Sequence, residues 1–266
     1  MIKRFTIHTA IRLTFTIVSV LITTAATGQP EFFLRPVVGI GFPISTVTES
    51  NSDIIKKNVS NGDANFGIYL QTVFKDQSSL SIGFLRRSLG YGFSVILDRE
   101  FRRISTMYPL NSFIVNYNYP LFRVRFAELK RKKSKLEELG VIEEQYYYLA
   151  IFDVEAIIGL NFNHIQDPEL ESFERSLGPL EYRQESTLIN QNNFSIPMGL
   201  RLQFLTFNKR RLQFDVIYNL GLSELVKIDI SLNTVNKTDV QSFSIVSKGS
   251  ELEIHFGYPI GLKKQG

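Results

Sequence analysis

The chain of 266 residues contains no cysteine. Disulfides and a lipid-modified N-terminal cysteine are therefore excluded as sources of stability or anchorage. Histidine is nearly as scarce, with three in the chain. His8 falls in the N-terminal segment described below, and the remaining two, His164 and His255, stand on different predicted strands and make no recognisable metal site. No glycine-rich phosphate loop accompanies a strand-to-helix step, so a nucleotide site has no support. Long apolar runs are also missing, apart from Leu13 to Ile22, which is too short to span a bilayer as a helix.

That run follows Lys3, Arg4 and Arg12 and precedes the small residues from Thr23 to Gly28, the charged, apolar and small order of a secretory signal. Cleavage is expected before Gln29, making 1–28 a signal peptide and 29–266 the mature domain. Removal of Lys3, Arg4 and Arg12 lowers the formal charge of +4 by three. The mature chain is then close to neutral, and its basic balance gives no argument for nucleic acid.

The mature chain is rich in strict alternation. Phe32, Leu34, Val38, Ile40 and Phe42 share one face of a first strand, and Phe66, Ile68, Leu70 and Phe74 one face of a second. Leu80, Ile82 and Phe84 follow a short polar turn at 75–78. Phe113, Val115, Tyr117 and Tyr119 mark a fourth strand, Tyr148 to Phe162 a fifth, Phe194 to Phe204 a sixth, Leu212 to Leu222 a seventh, and Leu252 to Leu262 an eighth. Side chains alternate faces along a strand, so each has one apolar face and one polar or small face. Eight strands of about ten residues suit an antiparallel transmembrane β-barrel of the outer-membrane type, an all-β fold. A soluble lipocalin-like barrel would turn the pattern inside out, but no core helix or second sheet is available to cover so much apolar surface. Phe32, Phe74, Tyr119, Phe122, Tyr146, Phe207 and Tyr258 fall at strand ends, where an interfacial aromatic belt is expected.

With the N-terminus in the periplasm, the tight turns at 75–78 and 208–211 lie inside, and the long connections at 43–63 and 165–193 lie outside. The second of these is acidic and reads as a solvated loop. Val226, Ile228, Ile230 and Leu232 keep even parity past the bilayer edge, so strands seven and eight are expected to continue as a hairpin above the membrane. One periplasmic connection is exceptional. Arg123, Arg125, Lys130, Arg131, Lys132, Lys133 and Lys135 make it strongly basic, and Phe126, Leu129, Leu136 and Leu139 follow helical spacing. A short amphipathic helix is expected there, able to contact anionic lipid or an acidic periplasmic partner.

The polar faces point into the barrel. Arg35, Asp153, Glu155, Arg201, Asp215, Glu253 and His255 are candidates for a lumenal network, in which Asp153 and Glu155 would pair with Arg35, Arg87 or Arg201, since buried charge without a partner is costly. Eight strands leave an interior that side chains can fill. No catalytic set emerges: His164 has no serine near it on its strand face. No cofactor and no small-molecule substrate is expected.

The Gln29 start, the segment Ser81 to Gly92 and the segment Gly249 to Tyr258 resemble the Bacteroidota-type outer-membrane β-barrels that include PorT-like proteins, and the barrel size resembles OmpX. The resemblance to PorT implies a scaffold role in secretion with a secretion-machinery partner, and that to OmpX a structural or surface-adhesion role. The chain departs from the pattern in its basic inner connection and in ending at Lys263, Lys264, Gln265 and Gly266 without a terminal aromatic residue.

Overall fold

Strands with one apolar and one polar face bury both edges and satisfy every backbone group only by closing on themselves. The computed structural model describes residues 31–48, 55–58, 62–97, 100–130, 146–166, 173–177, 180–206, 211–234 and 241–262, and these form one sheet of 13 strands. They are β1 (Glu31–Thr48), β2 (Ile55–Asn58), β3 (Asp63–Val73), β4 (Ser79–Leu97), β5 (Glu100–Lys130), β6 (Tyr146–Ile165), β7 (Phe173–Leu177), β8 (Leu180–Leu188), β9 (Asn192–Thr206), β10 (Arg211–Gly221), β11 (Val226–Thr234), β12 (Gln241–Gly257) and β13 (Ile260–Gly261). The order β1-β3-β4-β5-β6-β9-β10-β12 closes into a ring, because β12 returns to β1 through pairs such as Ile40↔Ile254 and Phe42↔Leu252. All eight stretches read from the alternation run along ring strands, the last of them passing from β12 into β13, which pairs with β1 at Phe33↔Gly261 and Leu34↔Ile260. The expected signal segment, 1–28, lies outside the described residues.

The ring turns its apolar face outward. Val38, Phe66, Phe84, Phe113, Ile158, Leu200, Val216 and Phe256 are all exposed, while Arg35, Arg201, Asp215 and Glu253 on the opposite face are buried. Phe32, Tyr119, Phe122 and Tyr258 are exposed at the end where the described chain starts and finishes, called here the inner end. Phe74 is half-buried beside them, Tyr146 lies on β6, and Phe207 lies outside the described residues. A surface this apolar, girdled by aromatic side chains, belongs in lipid. The chain is an eight-stranded transmembrane β-barrel.

Three features depart from the sequence-based expectations. First, Arg123 to Lys130 is strand and not helix: β5 pairs with β6 as far as Lys130↔Tyr146, with a bulge between Pro120 and Phe122. The facing segment, Tyr146 to Phe152, is rich in aromatic and branched residues, and pairing with it overrides the weak helical spacing. The remainder of that connection, 131–145, lies outside the described residues.

Second, the connection at 165–193 is not simply a loop. It holds β7 and β8, an antiparallel hairpin whose β8 pairs along β11 from Val226↔Leu188 to Thr234↔Leu180. At the outer end the sheet therefore runs on as β12-β11-β8-β7.

Third, β11 reverses the parity of β10. Leu212, Val216, Leu220 and Leu222 face outward, but Val226, Ile228, Ile230 and Leu232 are fully buried. Between Gly221 and Val226 the chain leaves the strand, so the inward-facing Asn219 and Val226 lie an odd number of residues apart. On β12 two extra residues, Lys248 and Gly249, sit between the partners of Ile44 and Ser45, and Gly249 takes the positive φ of 71° that this bulge requires. An even insertion leaves the inward parity of β12 unchanged. Because of the break in one strand and the bulge in its neighbour, the outer extension folds back with an apolar interior of its own.

Candidate functional site

Inward-facing side chains build four layers along the barrel axis. At the inner mouth, Arg123 from β5 forms a two-pronged pair with Asp153 from β6, Nε to Oδ1 at 2.5 Å and Nη2 to Oδ2 at 2.8 Å, and also donates to Gln77 in the turn after β3. Beside it Gln213 donates to Gln203 at 2.8 Å and Gln71 donates to Ser79 at 3.0 Å. Arg123, Asp153, Gln77 and Gln203 border a cleft of about 800 Å³.

The second layer is ionic. Asp215 on β10 accepts from Arg201 on β9, Nε at 2.8 Å and Nη2 at 3.0 Å, and from Arg35 on β1. Glu155 stands 3.7 Å from the same Arg201, and the Arg35 guanidinium lies 5.4 Å from the centre of the Tyr69 ring. A second cluster surrounds Arg87 of β4, which donates to Glu253 at 2.7 Å, Glu251 at 3.3 Å, Ser112 at 2.8 Å and Asn163 at 2.6 Å. His255 Nε2 lies 3.4 Å from Glu253. Arginine suits these positions because its planar fork meets several acceptors at once and keeps its charge when buried. Two glycines make the room. A Cβ at Gly257 would strike Arg35 Nε, and one at Gly41 would strike Glu251 Oε1.

Above the ions lies a ladder of amides, with Asn163 donating to Asn193 at 2.9 Å and to Ser195 at 3.0 Å, and Asn161 donating to Asn219 at 2.8 Å. The outer layer then changes character. Leu89 of β4, Tyr108 and Leu110 of β5 and Ile165 of β6 pack against Tyr182 of β8, Ile228 and Ile230 of β11 and Phe243 and Ile245 of β12 in one buried cluster. The Tyr108 hydroxyl meets Ser186 Oγ at 2.9 Å across this cap. The inward face of β12 thus changes along one strand from Phe243 and Ile245 to Glu251, Glu253 and His255.

The residues singled out from sequence are distributed as follows. Arg35, Arg201, Asp215 and Glu155 meet in one cluster, and Glu253 and His255 in the other. Asp153 stands apart from both and takes Arg123, not Arg35, Arg87 or Arg201. Arg125 and Lys130 lie on β5, while Arg131, Lys132, Lys133 and Lys135 lie outside the described residues. Sequence reading missed the role of Glu251, which shares the parity of Glu253, and it missed the apolar cap entirely. His164 is placed on the outer rim, where its Nδ1 lies 2.8 Å from Asn192 Oδ1. Among the described residues no cluster of three or more histidine, aspartate or glutamate side chains suits a metal ion. Chemically, the interior can lock the ring strands together and fill the space between them.

No family model and no curated protein matches the chain. Among solved structures, the outer membrane protein OprG from Pseudomonas aeruginosa is 12% identical with a TM-score of 0.45, over 88% of this chain and 98% of that one. Neisserial surface protein A is 12% identical with a TM-score of 0.32, over 85% of this chain and 96% of that one. Likenesses this distant carry no function. The assignment of the fold rests on the chain's own strand pairing and on the chemistry of its two faces.

Proposed function

We propose that this is a non-enzymatic integral protein of an outer membrane, exported by a signal peptide cleaved before Gln29, that acts as a scaffold associated with secretion rather than as a pore. The observation that carries this reading is the filled interior: ion pairs across the middle and an apolar cap over the outer end. A barrel occupied in this way leaves its projections as the working surfaces. On the inner side the β5–β6 hairpin carries the basic run that continues into Lys130, Arg131, Lys132 and Lys133, suited to a periplasmic protein with an acidic surface or to anionic lipid.

The test is affinity capture from solubilised envelopes with the wild-type chain and with a variant in which Lys130, Arg131, Lys132 and Lys133 are replaced by glutamate. Loss of a periplasmic partner from the variant, with the barrel still folded, supports the scaffold reading. The same proteins captured by both would remove the inner hairpin from it.

A second reading, a surface-binding or adhesion barrel, draws on the outer sheet. Its last strand is β7, which pairs with β8 and no other strand among the described residues. Such an edge can accept a strand from another protein. Binding of intact cells to a surface, lost on deleting 167–188, would favour it.

A further inference from the structure

The lipid-facing side of the outer rim carries two aligned rows that neither the scaffold role nor the interior explains. In the first, Phe84, Phe113, Phe162 and Phe194 are direct cross-strand partners on the adjacent strands β4, β5, β6 and β9. The Phe162 and Phe194 rings stand 5.4 Å apart. This is an aromatic belt at the outer edge of the apolar band. Two residues further out on every one of these strands is a polar side chain, and these are again direct partners: Arg86↔Asn111, Asn111↔His164 and His164↔Asn192. The second row thus runs over four adjacent strands, about 14 Å in width, and lies about 7 Å beyond the phenylalanines.

Its composition selects an anion. Arg86 and Asn192 are exposed, and Asn111 and His164 are partly so. An amide oxygen only accepts, so the 2.8 Å contact has the His164 Nδ1 proton donated to Asn192 Oδ1. That leaves the Nδ2 hydrogens of Asn192 without a partner among the described residues, in the same row as the exposed Arg86 and the Asn111 amide. Arg86 and Asn111 make no side-chain hydrogen bond or ion pair among the described residues. None of these four positions is a carboxylate; Glu224, exposed in the break after β10, accepts from the Asn190 side chain through its backbone carbonyl. Among the described residues, Phe84, Phe113, Phe162 and Phe194 and the lipid-facing side chains inward of them carry no charge until the inner mouth. An outward-facing arginine is costly at mid-bilayer and tolerable only near the interface, and phosphate is the group there that a guanidinium and neighbouring amides recognise best.

We infer that Arg86 and Asn111 bind the phosphate of a lipid headgroup in the outer leaflet, with Asn192, held by His164, extending the row of donors and the acyl chains lying along the phenylalanine row. This rests on the outer-membrane reading above. The occupant is a membrane lipid, since the anion site and the apolar row are continuous and a free phosphate would use only the first.

The test uses the full mature chain in detergent micelles, titrated with lipopolysaccharide, with the same glycolipid stripped of its phosphates, and with inorganic phosphate, and read by native mass spectrometry. The phosphorylated lipid is expected to bind at least about tenfold more tightly than the stripped form, the equivalent of one charge-assisted hydrogen bond. Arg86→Gln should abolish most of that preference, and Arg86→Lys should keep part of it. Retained β-sheet circular dichroism and heat-modifiable migration confirm that the variants are folded. Equal binding of both glycolipids, an Arg86→Gln variant that discriminates like the wild type, or inorganic phosphate competing as well as the phosphorylated lipid would each overturn the proposal. Insertion into bilayers is scored separately by resistance to alkaline extraction. A chain that inserts but does not discriminate sinks this inference alone, whereas one that does not insert sinks the outer-membrane reading with it.

Discussion

Arg35 and Asp215 lie 180 residues apart in the chain, on β1 and β10, yet they form a direct ion pair inside the barrel. The strand between them, β12, contributes Gly257 at this level, and the guanidinium passes over it. Asp215 also holds Arg201, so one carboxylate keeps two buried arginines in place. Replacing Asp215 with asparagine preserves its shape and removes its charge. Such a change leaves two cations without a full counter-charge and should cost about 3–5 kcal/mol. Thermal or urea unfolding in detergent, followed by gel migration, should show the loss. By contrast, the exposed pair Lys227–Asp229 on the outer sheet should tolerate Asp229→Asn within about 1 kcal/mol.

The lipid face can be tested at a directly paired position. Val216 and Leu200 are cross-strand partners and both are exposed on the apolar side. Arginine at either site should destabilise the folded barrel by about 2–4 kcal/mol in a bilayer. Glu181→Arg, on the exposed face of β8, should change stability by no more than about 0.5 kcal/mol. Equal losses at Val216 and Glu181 would mean that the outward face does not meet lipid.

These two tests separate what was legible in the sequence from what was not. The eight ring strands were legible because a two-sided strand writes its environment into every second residue, as Phe214, Val216 and Tyr218 do against Gln213 and Asp215. The same parity placed Arg35, Arg201, Asp215 and Glu253 inside. It could not assign partners, since alternation says nothing about which carboxylate lies across the lumen from which arginine, and so Asp153 found Arg123 instead. Parity also fails wherever strand counting is interrupted. The four residues 222–225 invert β11, and no composition signal there announces it. Arg123 to Lys130 misled for a different reason: Phe126 and Leu129 fit a helix, and the decisive term is the facing strand Tyr146 to Phe152, distant in sequence.

The strand character of that inner segment predicts a cross-link. Glu128 and Tyr148 are direct partners on β5 and β6. Antiparallel partners have Cα atoms about 4.5–5.5 Å apart, within the range a disulfide spans. The chain has no native cysteine to interfere. A double variant, Glu128→Cys with Tyr148→Cys, should therefore oxidise to a single species of altered mobility on non-reducing gels, whereas Glu128→Cys with Ile151→Cys should oxidise poorly. If the two variants oxidise alike, the pairing beyond the inner mouth is wrong.

The outer cap makes the sharpest distinction between the two parities of β11. Ile230 pairs with Phe243, and both are buried in the cluster that covers the barrel. Ile230→Ala should remove buried contacts and cost about 2–4 kcal/mol although the residue lies outside the apolar band. Its neighbour Lys227, on the other face, should accept alanine with little effect. If β11 instead continued the outward parity of β10, Ile230→Ala would be nearly neutral. The cap is also one of two barriers to ions, the other being the layer held by Arg35, Arg87 and Arg201. The wild-type chain should therefore show no steady conductance above that of the bare membrane in planar bilayers, and Ile230→Ala should remain closed because the ionic layer beneath is untouched. A steady channel from the wild-type chain would show that the interior is not filled in the membrane, and would turn the functional reading from a scaffold to a pore.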